Sequence, residues 1–230
     1  MFSFDSTYVL LVPAMIFALW AQWKVQSTYA AMSRVRAANG MTGAAMAKSI
    51  MSRNGVTDVT VEEVGGVLSD HYDPRARVVR LSQPIAEGDS IASIAVAAHE
   101  VGHVLQHAQG YPALALRSAI APAASIASMA AFPLFFIGLI FTIPGLSRLL
   151  MDVGIVLFSG AVVFHLITLP VEFDASKRAL VQLTSSGSIA PEEVAGAKKV
   201  LDAAALTYVA AAAMAALQLL RLVMLRNSRD

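Results

Sequence analysis

Four long apolar stretches alternate with shorter polar ones along the chain. They run from Tyr8 to Trp23, from Ser125 to Ile143, from Leu149 to Leu169, and from about Ala204 to near the C-terminus. About 20 apolar residues in a helix span the hydrocarbon core of a bilayer, so the pattern predicts four transmembrane helices. The tight turn from Pro144 to Arg148 joins the second to the third. These two should form an antiparallel hairpin whose ends lie on one side of the membrane.

The polar stretch from Gln26 to Ser90 has the composition of a small water-exposed unit. Apolar periodicity predicts a helix near Gly43 to Arg53, and alternation predicts a strand from Val59 to Val64. Two apolar runs within Gly65 to Ser82 flank the turn-forming residues Asp70 to Ala76, which predicts a β-hairpin. One edge of this hairpin is a candidate for receiving a substrate backbone by strand addition. The alternative is a hairpin that only covers the neighbouring helix.

Polar character returns from Val171 to Gly187. Pro170, just before it, is expected to break the preceding helix or to begin a new one. Pro191 is followed by two acidic residues, which suit the positive end of a helix dipole. A long helix is therefore expected from Pro191 to about Arg226, and its second half is the fourth apolar stretch.

These boundaries divide the chain into five segments. They are a first transmembrane helix (1–25), a cytoplasmic unit (26–122), a transmembrane hairpin (123–170), a second cytoplasmic segment (171–202), and a fourth transmembrane helix with a short tail (203–230).

Basic residues near the first apolar stretch predict the orientation. Lys24, Arg34 and Arg36 follow the stretch, whereas its N-terminal flank carries only Asp5. Because positive residues stay in the cytoplasm, the N-terminus should lie outside and the next segment in the cytoplasm. The arginines of the tail (226–230) count against this orientation. We expect an integral protein of a bacterial cell (inner) membrane.

Composition narrows the chemistry. Of the 230 residues, 57% are hydrophobic and 14% charged, which is typical of a membrane protein rather than a soluble globule. The net charge of +1 offers no argument for a nucleic-acid partner. Because the chain has no cysteine, it can form neither disulfides nor a thiolate zinc site. Any bound metal must be held by histidine, aspartate or glutamate.

One short motif, His99-Glu100-Val101-Gly102-His103, carries the strongest chemical signal. On a helix His99 and His103 lie about 6 Å apart along the axis and on one face, so both imidazoles can bind one Zn²⁺. Glu100 stands beside them, where a carboxylate can take a proton from a zinc-bound water. Such a short motif also occurs by chance. Here the motif falls in the middle of an apolar helix that Asp89 or Ser90 can cap. Two histidines and a glutamate are costly to bury in such a helix without a metal, so the motif predicts zinc-dependent hydrolysis of a peptide bond.

A catalytic zinc needs a third protein ligand. His107 continues the four-residue spacing but lies about 12 Å from His99 along the helix, which is too far for one ion. Glu172 is preferred, because it stands where the third apolar stretch returns to the side of the motif helix. Asp174 ranks second. The alternative for Glu172 is an interfacial carboxylate paired with a neighbouring basic residue.

His165 lies about two turns before Glu172, inside the third apolar stretch. Ionisable groups within a membrane are functional candidates, so we predict His165 as a catalytic residue beside Glu100. It can stabilise the oxyanion or orient a zinc ligand, and the alternative is packing with a single hydrogen bond. Tyr72 and His71 in the hairpin are further candidates for the oxyanion role.

Three segments together resemble one known family. They are similar to motifs of the YugP-like membrane zinc metallopeptidases, and they read LSDHYDPRARVVRLS, AVAAHEVGHVLQHA and TLPVEFDASKRAL. The resemblance implies that His99 and His103 are zinc ligands, Glu100 is the base and Glu172 is the third ligand. Related HtpX-like and CAAX-processing proteases typically carry an aspartate four residues after the glutamate. Ser176 stands there in this chain, so the role of that aspartate is either absent or moved to Asp174.

The expected fold is mainly α: a polytopic membrane protein with about four transmembrane helices and a small cytoplasmic α+β zincin-like catalytic unit. The leading function is a zinc endopeptidase at the cytoplasmic face, acting on damaged or partly folded membrane proteins. Its partners would be protein or peptide substrates and the lipid bilayer, with no nucleic acid.

Two other functions fit parts of the sequence. One is an intramembrane-cleaving zinc protease, for which the stretch from Met151 to Gly154 is a poor match to the required second ligand motif. The other is a non-enzymatic membrane scaffold with a structural zinc site. The intact Glu100 argues against the scaffold, since a structural site has no use for a base.

Overall fold

A computed structural model of the chain describes residues 6–66, 69–141, 143–185 and 187–228. The predicted orientation used three residues that lie outside the described ones, namely Asp5, Arg229 and Asp230. The elements are a 3-10 helix (Ser6–Leu11), α1 (Val12–Met32), α2 (Gly43–Arg53), β1 (Thr60–Val64), β2 (His71–Asp73), β3 (Val78–Ser82), α3 (Gln83–Ala86), α4 (Ile91–Ala108), α5 (Pro112–Ile140), α6 (Leu146–Ser185) and α7 (Pro191–Asn227).

Four of the described helices are long and apolar enough to cross a membrane. They confirm the prediction of a mainly helical membrane protein with four apolar spans. Many large apolar side chains on these helices are exposed, an arrangement that suits lipid and is unfavourable in water. Examples that are at least two-thirds exposed are Leu19, Ile126, Met129, Ile140 and Val156.

Two expectations about helix ends were wrong. α5 begins at Pro112 rather than near Ser125, and α6 continues through Pro170 without a break. A proline fits helical φ angles and removes one backbone hydrogen bond, so packing can keep the helix intact around it. With 40 residues, α6 is about 60 Å long, roughly twice the thickness of the hydrocarbon core. Only part of α6 can therefore lie within a bilayer.

The chain forms two compact units. Unit 1 comprises Met1–Ala21, Leu116–Leu169 and Thr207–Asp230, and unit 2 comprises Gln22–Ala115 and Pro170–Leu206. The five-segment division read from the sequence stays a prediction about membrane topology.

Unit 1 is built from the 3-10 helix and parts of α1, α5, α6 and α7. Phe135 is fully buried in its core, and the α6 residue Gly154 lies against the backbone of Ala131 on α5. Asp152 on α6 accepts a hydrogen bond from Arg226 Nε on α7 at 2.8 Å. This ion pair and the small contact residues tie α5, α6 and α7 together.

Unit 2 is packed around α4. The helix begins after Ser90, whose side chain accepts a hydrogen bond from the backbone N–H of Ser93, as one of the two predicted caps should. Apolar residues of α4 are fully buried, and α2 has the predicted bounds. The core also includes buried residues of β3, α6 and α7, namely Val79, Leu81, Ala179, Leu183, Ala197, Val200 and Leu201.

A three-stranded sheet in the order β1-β3-β2 completes unit 2. β3 pairs in parallel with β1 and antiparallel with β2, so the predicted strand is present and a hairpin lies within the predicted segment. The predicted turn, Asp70 to Ala76, was wrong in its first half, because β2 occupies His71–Asp73 and the turn spans only residues 74–77. Four of the five residues of the central strand β3 are buried. β2 is an edge strand, and its ladder joins Tyr72 to Val79.

Gly102 sets the distance between α4 and α6. A Cβ atom added at Gly102 would lie 2.4 Å from the backbone oxygen of Ala175 on α6. Real side chains do not approach a backbone oxygen this closely, so only glycine permits the contact. The part of α6 beyond Pro170 is thereby held directly against the motif helix.

We predict that Gly102→Ala lowers the stability of unit 2 by about 1 to 3 kcal/mol, because the methyl group forces α4 and α6 apart. The added helix propensity of alanine, about 1 kcal/mol, offsets part of this loss. Thermal unfolding of the purified protein in detergent measures the change. Gly160→Ala is the matched control, since a Cβ atom at Gly160 on α6 meets nothing within 4 Å and should leave stability unchanged or raised. Equal unfolding midpoints for the two variants would contradict the prediction.

Candidate metal centre

Three side chains from two helices meet in unit 2. His99 and His103 stand one turn apart on α4, and Glu172 projects toward them from α6. Glu172 Oε2 lies 3.3 Å from His99 Nε2 and 3.5 Å from His103 Nε2. Among the described residues, this is the one group of three histidine, cysteine or acidic side chains with ligand atoms close enough to share an ion, all within 4.8 Å of one another.

The group is shielded from solvent. The side chains of His99, His103 and Glu172 are 12%, 11% and 3% exposed. The two imidazole rings meet edge to face, with centroids 4.9 Å apart. A carboxylate and two imidazoles are costly to bury unless they bind one another or a metal, so their convergence points to a ligand-binding role.

Each histidine is held through its second ring nitrogen. His99 Nδ1 lies 3.1 Å from Ser176 Oγ on α6, and His103 Nδ1 lies 3.0 Å from Gln106 Oε1 on α4. These contacts leave both Nε2 atoms facing Glu172. Metal-binding histidines in proteins are commonly oriented in this way, with the outer nitrogen donating to an oxygen.

His103 interacts strongly with its acidic neighbours. Burial alone lowers the pKa of His103, but the hydrogen bond to Glu172 and the charges of Glu100 and Glu172 outweigh burial and raise the pKa above its ordinary value. In the absence of a metal the imidazole therefore holds a proton readily. The same negative surroundings favour a divalent cation.

The donor set fits zinc. Two nitrogens and one carboxylate oxygen form a common ligand set of catalytic zinc, which leaves a fourth position open. Ligands at ~2.1 Å from a tetrahedral ion lie about 3.4 Å from one another, close to the two distances between Glu172 Oε2 and the imidazole nitrogens. The arrangement supports the zinc that the sequence predicts.

Glu100 lies next to His99 on α4 and is 7% exposed. Its charge acts on Asp70, which precedes β2. Burial raises the pKa of Asp70, hydrogen bonds from Ser82 oppose the rise, and the charge of Glu100 adds to it. The charge of Glu100 also acts on His103, but Glu100 is not one of the three side chains whose ligand atoms converge.

Asp174, ranked second as a third ligand, is engaged elsewhere. One of its oxygens accepts hydrogen bonds from Arg178 Nε and from Gln106 Nε2. Glu172 and Asp174 thus project to different partners from the same helix. The geometry favours Glu172 as the ligand, and the assignment remains a proposal.

The hairpin candidates contact other groups. The Tyr72 hydroxyl lies 2.8 Å from His107 Nδ1, which connects β2 to the last turn of α4. Burial raises the pKa of Tyr72. His71 is exposed, and its Nδ1 lies 2.8 Å from the backbone oxygen of Ser69. Tyr72 and His107 also line a cavity of about 320 Å³ in unit 2. An oxyanion role for Tyr72 or His71 stays a prediction.

His165, the second predicted catalytic residue, belongs to unit 1, whereas His99, His103, Glu100 and Glu172 belong to unit 2. It lines an apolar cavity of about 580 Å³ together with Tyr8, Phe132, Phe136, Phe158, Ala211, Met214, Ala215, Gln218 and Arg221. Its catalytic role stays a prediction.

Sequence reasoning overlooked Gln106. Its signal was a polar residue three positions after His103 in an otherwise apolar helix. Ser176 was noticed only as a departure from the aspartate of related proteases, but its hydroxyl still reaches His99. Asp174 acts on the other histidine, His103, through Gln106. The Nδ1 atoms of both histidines therefore have polar partners, although these partners differ from the aspartate that is typical of related proteases.

Comparison with known proteins agrees with this arrangement. A model of the family described as "Putative neutral zinc metallopeptidase" matches residues 7–227. The chain is 51% identical over 222 residues to the "Putative membrane protease YugP" of Bacillus subtilis (strain 168), a match that covers 96% of this chain and 97% of that protein. No solved structure matches the chain. The resemblance inferred from the three sequence motifs is confirmed.

We predict that Glu172→Ala lowers zinc affinity at least about 100-fold, because it removes one of three protein ligands. Asp174→Ala should retain zinc with a smaller loss, since Asp174 lies outside the ligand group. Metal analysis and competition with a chelator measure both. Asp202→Ala is a control, because Asp202 is exposed and pairs with Lys198 on the surface. Zinc retained by Glu172→Ala and lost from Asp174→Ala would instead assign the ligand to Asp174.

Proposed function

Because this chain belongs to the neutral zinc metallopeptidase family, we propose that it is a membrane-bound zinc endopeptidase. His99, His103 and Glu172 hold the metal, and Glu100 is the general base. The observation that carries the proposal is the convergence of two imidazole Nε2 atoms and one carboxylate oxygen beside a second carboxylate.

Zinc held by His99, His103 and Glu172 would provide a Lewis acid for activating water at neutral pH and polarising the substrate carbonyl. Glu100 takes a proton from the attacking water on a carboxylate oxygen. It then gives the proton to the nitrogen of the leaving amine when the peptide bond breaks. His99 and His103 bind through Nε2, and their Nδ1 contacts to Ser176 and Gln106 keep the rings from turning.

The substrate backbone binds in extended form along β2. This strand lies at an edge of the sheet, and Tyr72 joins it to α4 through His107. An edge strand offers backbone N–H and C=O groups to an added strand, which gives affinity with little dependence on sequence. Such binding suits unstructured segments of protein substrates. It fits a role in the quality control of damaged or partly folded membrane proteins.

Unit 1 lies in the bilayer, and the metal group of unit 2 faces the cytoplasm. Support comes from the exposed apolar side chains of α5 and α6, and from the basic residues that follow the first apolar stretch. An intramembrane-cleaving zinc protease would need a second ligand motif, to which the stretch around Asp152 is a poor match, and Asp152 pairs with Arg226 instead. This pairing favours the endopeptidase over that alternative.

We predict that Glu100→Gln keeps zinc but lowers cleavage of an unstructured substrate such as casein by at least about 100-fold, since the amide cannot accept the proton. Purified protein in detergent should contain about one zinc per chain in the parent and in the variant. Glu87→Gln, at an exposed position, controls for loss of a negative charge. Cleavage by Glu100→Gln at the rate of the parent would overturn the peptidase assignment.

Reporter fusions test the orientation. With the N-terminus outside and four spans, the tail after Asn227 also lies outside, so a C-terminal alkaline phosphatase fusion should be active and a C-terminal fluorescent protein dark. A reporter inserted after Gly55, in the turn that follows α2, should give the opposite pattern. Reversal of both patterns would place the metal group outside the cell.

A further inference from the structure

Gln106 is fully buried on α4, one turn after His103. We propose that Gln106 is a positioning residue that holds the His103 ring with Nε2 directed at the metal, and that Asp174 sets the direction of the Gln106 amide. The inference rests on the proposed function, because it takes His103 to be a metal ligand.

The amide of Gln106 has only one orientation that satisfies its neighbours. One end lies 2.7 Å from the backbone oxygen of Val171 and 2.8 Å from Asp174 Oδ2. A carbonyl and a carboxylate can only accept hydrogen bonds, so this end must be the NH₂ group. The opposite end, which faces His103, is therefore the amide oxygen.

This orientation selects one form of His103. The amide oxygen of Gln106 accepts a hydrogen bond and cannot donate one, so Nδ1 of His103 must carry a hydrogen. In the neutral imidazole the lone pair then lies on Nε2, which faces Glu172. The other tautomer would place a hydrogen on Nε2 and block metal binding there. Gln106 thus excludes the form of His103 that cannot bind the metal.

Gln106 also couples the two helices that supply ligands. Its NH₂ group bonds to α6 on both sides of Glu172 in sequence, at Val171 and at Asp174. Arg178 secures Asp174 from the next turn of α6. It also donates to Gln109, which directly follows α4, and it lies over the ring of Tyr111. The spacing between His103 and Glu172 is therefore maintained by a continuous chain of hydrogen bonds.

His99 is oriented in a different way. Its Nδ1 partner is the hydroxyl of Ser176, which can both donate and accept. Ser176 therefore permits either tautomer of His99, whereas Gln106 permits only one of His103. Only His103, which contacts Gln106, is therefore restricted to one tautomer.

We expect Gln106→Leu to weaken zinc binding by about 10- to 100-fold, the usual effect of removing an outer partner of a ligand histidine. Competition with a chelator on the full-length protein in detergent measures the dissociation constant. Thermal unfolding of the metal-free protein, measured in parallel, reports any loss of packing. Gln83→Leu is the matched control: the same residue type at an exposed position of α3, where it bonds to Glu87 and has no contact with the metal group. It should bind zinc as the parent does.

Nitrogen NMR of the histidine rings separates positioning from packing. In the zinc-free parent, at a pH where the His103 ring is neutral, we expect only the form with hydrogen on Nδ1. In Gln106→Leu, which fills similar space without an acceptor, we expect the form with hydrogen on Nε2 to appear as well.

The outcomes distinguish this inference from the proposed function. A parent protein without zinc would overturn both. Tight zinc binding by the parent together with undiminished binding by Gln106→Leu would overturn this inference alone. An unchanged His103 tautomer in Gln106→Leu would also overturn it, because packing would then explain the loss of zinc.

Discussion

The contact between Gly102 and the backbone of Ala175 is the constraint on which the metal group depends. Two of the three converging side chains come from α4 and one from α6, so the distance between these helices decides whether all three can reach one ion. With any side chain at position 102 the added Cβ would lie 2.4 Å from the Ala175 oxygen. Glycine in the middle of a helix costs about 1 kcal/mol relative to alanine. The close contact that glycine permits brings His99 and His103 of α4 together with Glu172 of α6.

Close helix packing would ordinarily exclude so many polar groups. Glu100, His103, Gln106 and Glu172 are all buried beside apolar residues of α4. Buried polar groups are tolerated when each finds a partner, and half-satisfied networks are unfavourable. Here His103 bonds to Gln106, and Gln106 bonds in turn to Val171 and Asp174. The site is thus part of the core of unit 2 rather than an attachment to its surface, which gives its side chains little freedom to move.

The outer ring nitrogens of His99 and His103 contact different partners. Where related proteases typically have an aspartate, Ser176 supplies a hydroxyl to His99. The carboxylate two positions earlier, Asp174, serves His103 through an amide. The two histidines are therefore held by unlike groups. His103, whose partner can only accept, is the more strictly oriented of the two.

Local patterns in the sequence determined the elements of this protein. Apolar periodicity marked α2 with its bounds and the four apolar helices, and the spacing of His99 and His103 placed both on one face of α4. Local signals predicted a helix break or a new helix at Pro170, but α6 continues through it. A proline removes only one backbone hydrogen bond, so packing decides whether the helix continues.

Tertiary structure alone decided how the ligand group is completed and supported. Gln106 meets Val171 and Asp174 across 65 and 68 residues of chain. Such pairings depend on how α4 and α6 pack, which no periodicity records. The sequence therefore specified which residues can bind a metal, and the approach of two helices specified which of them face one another.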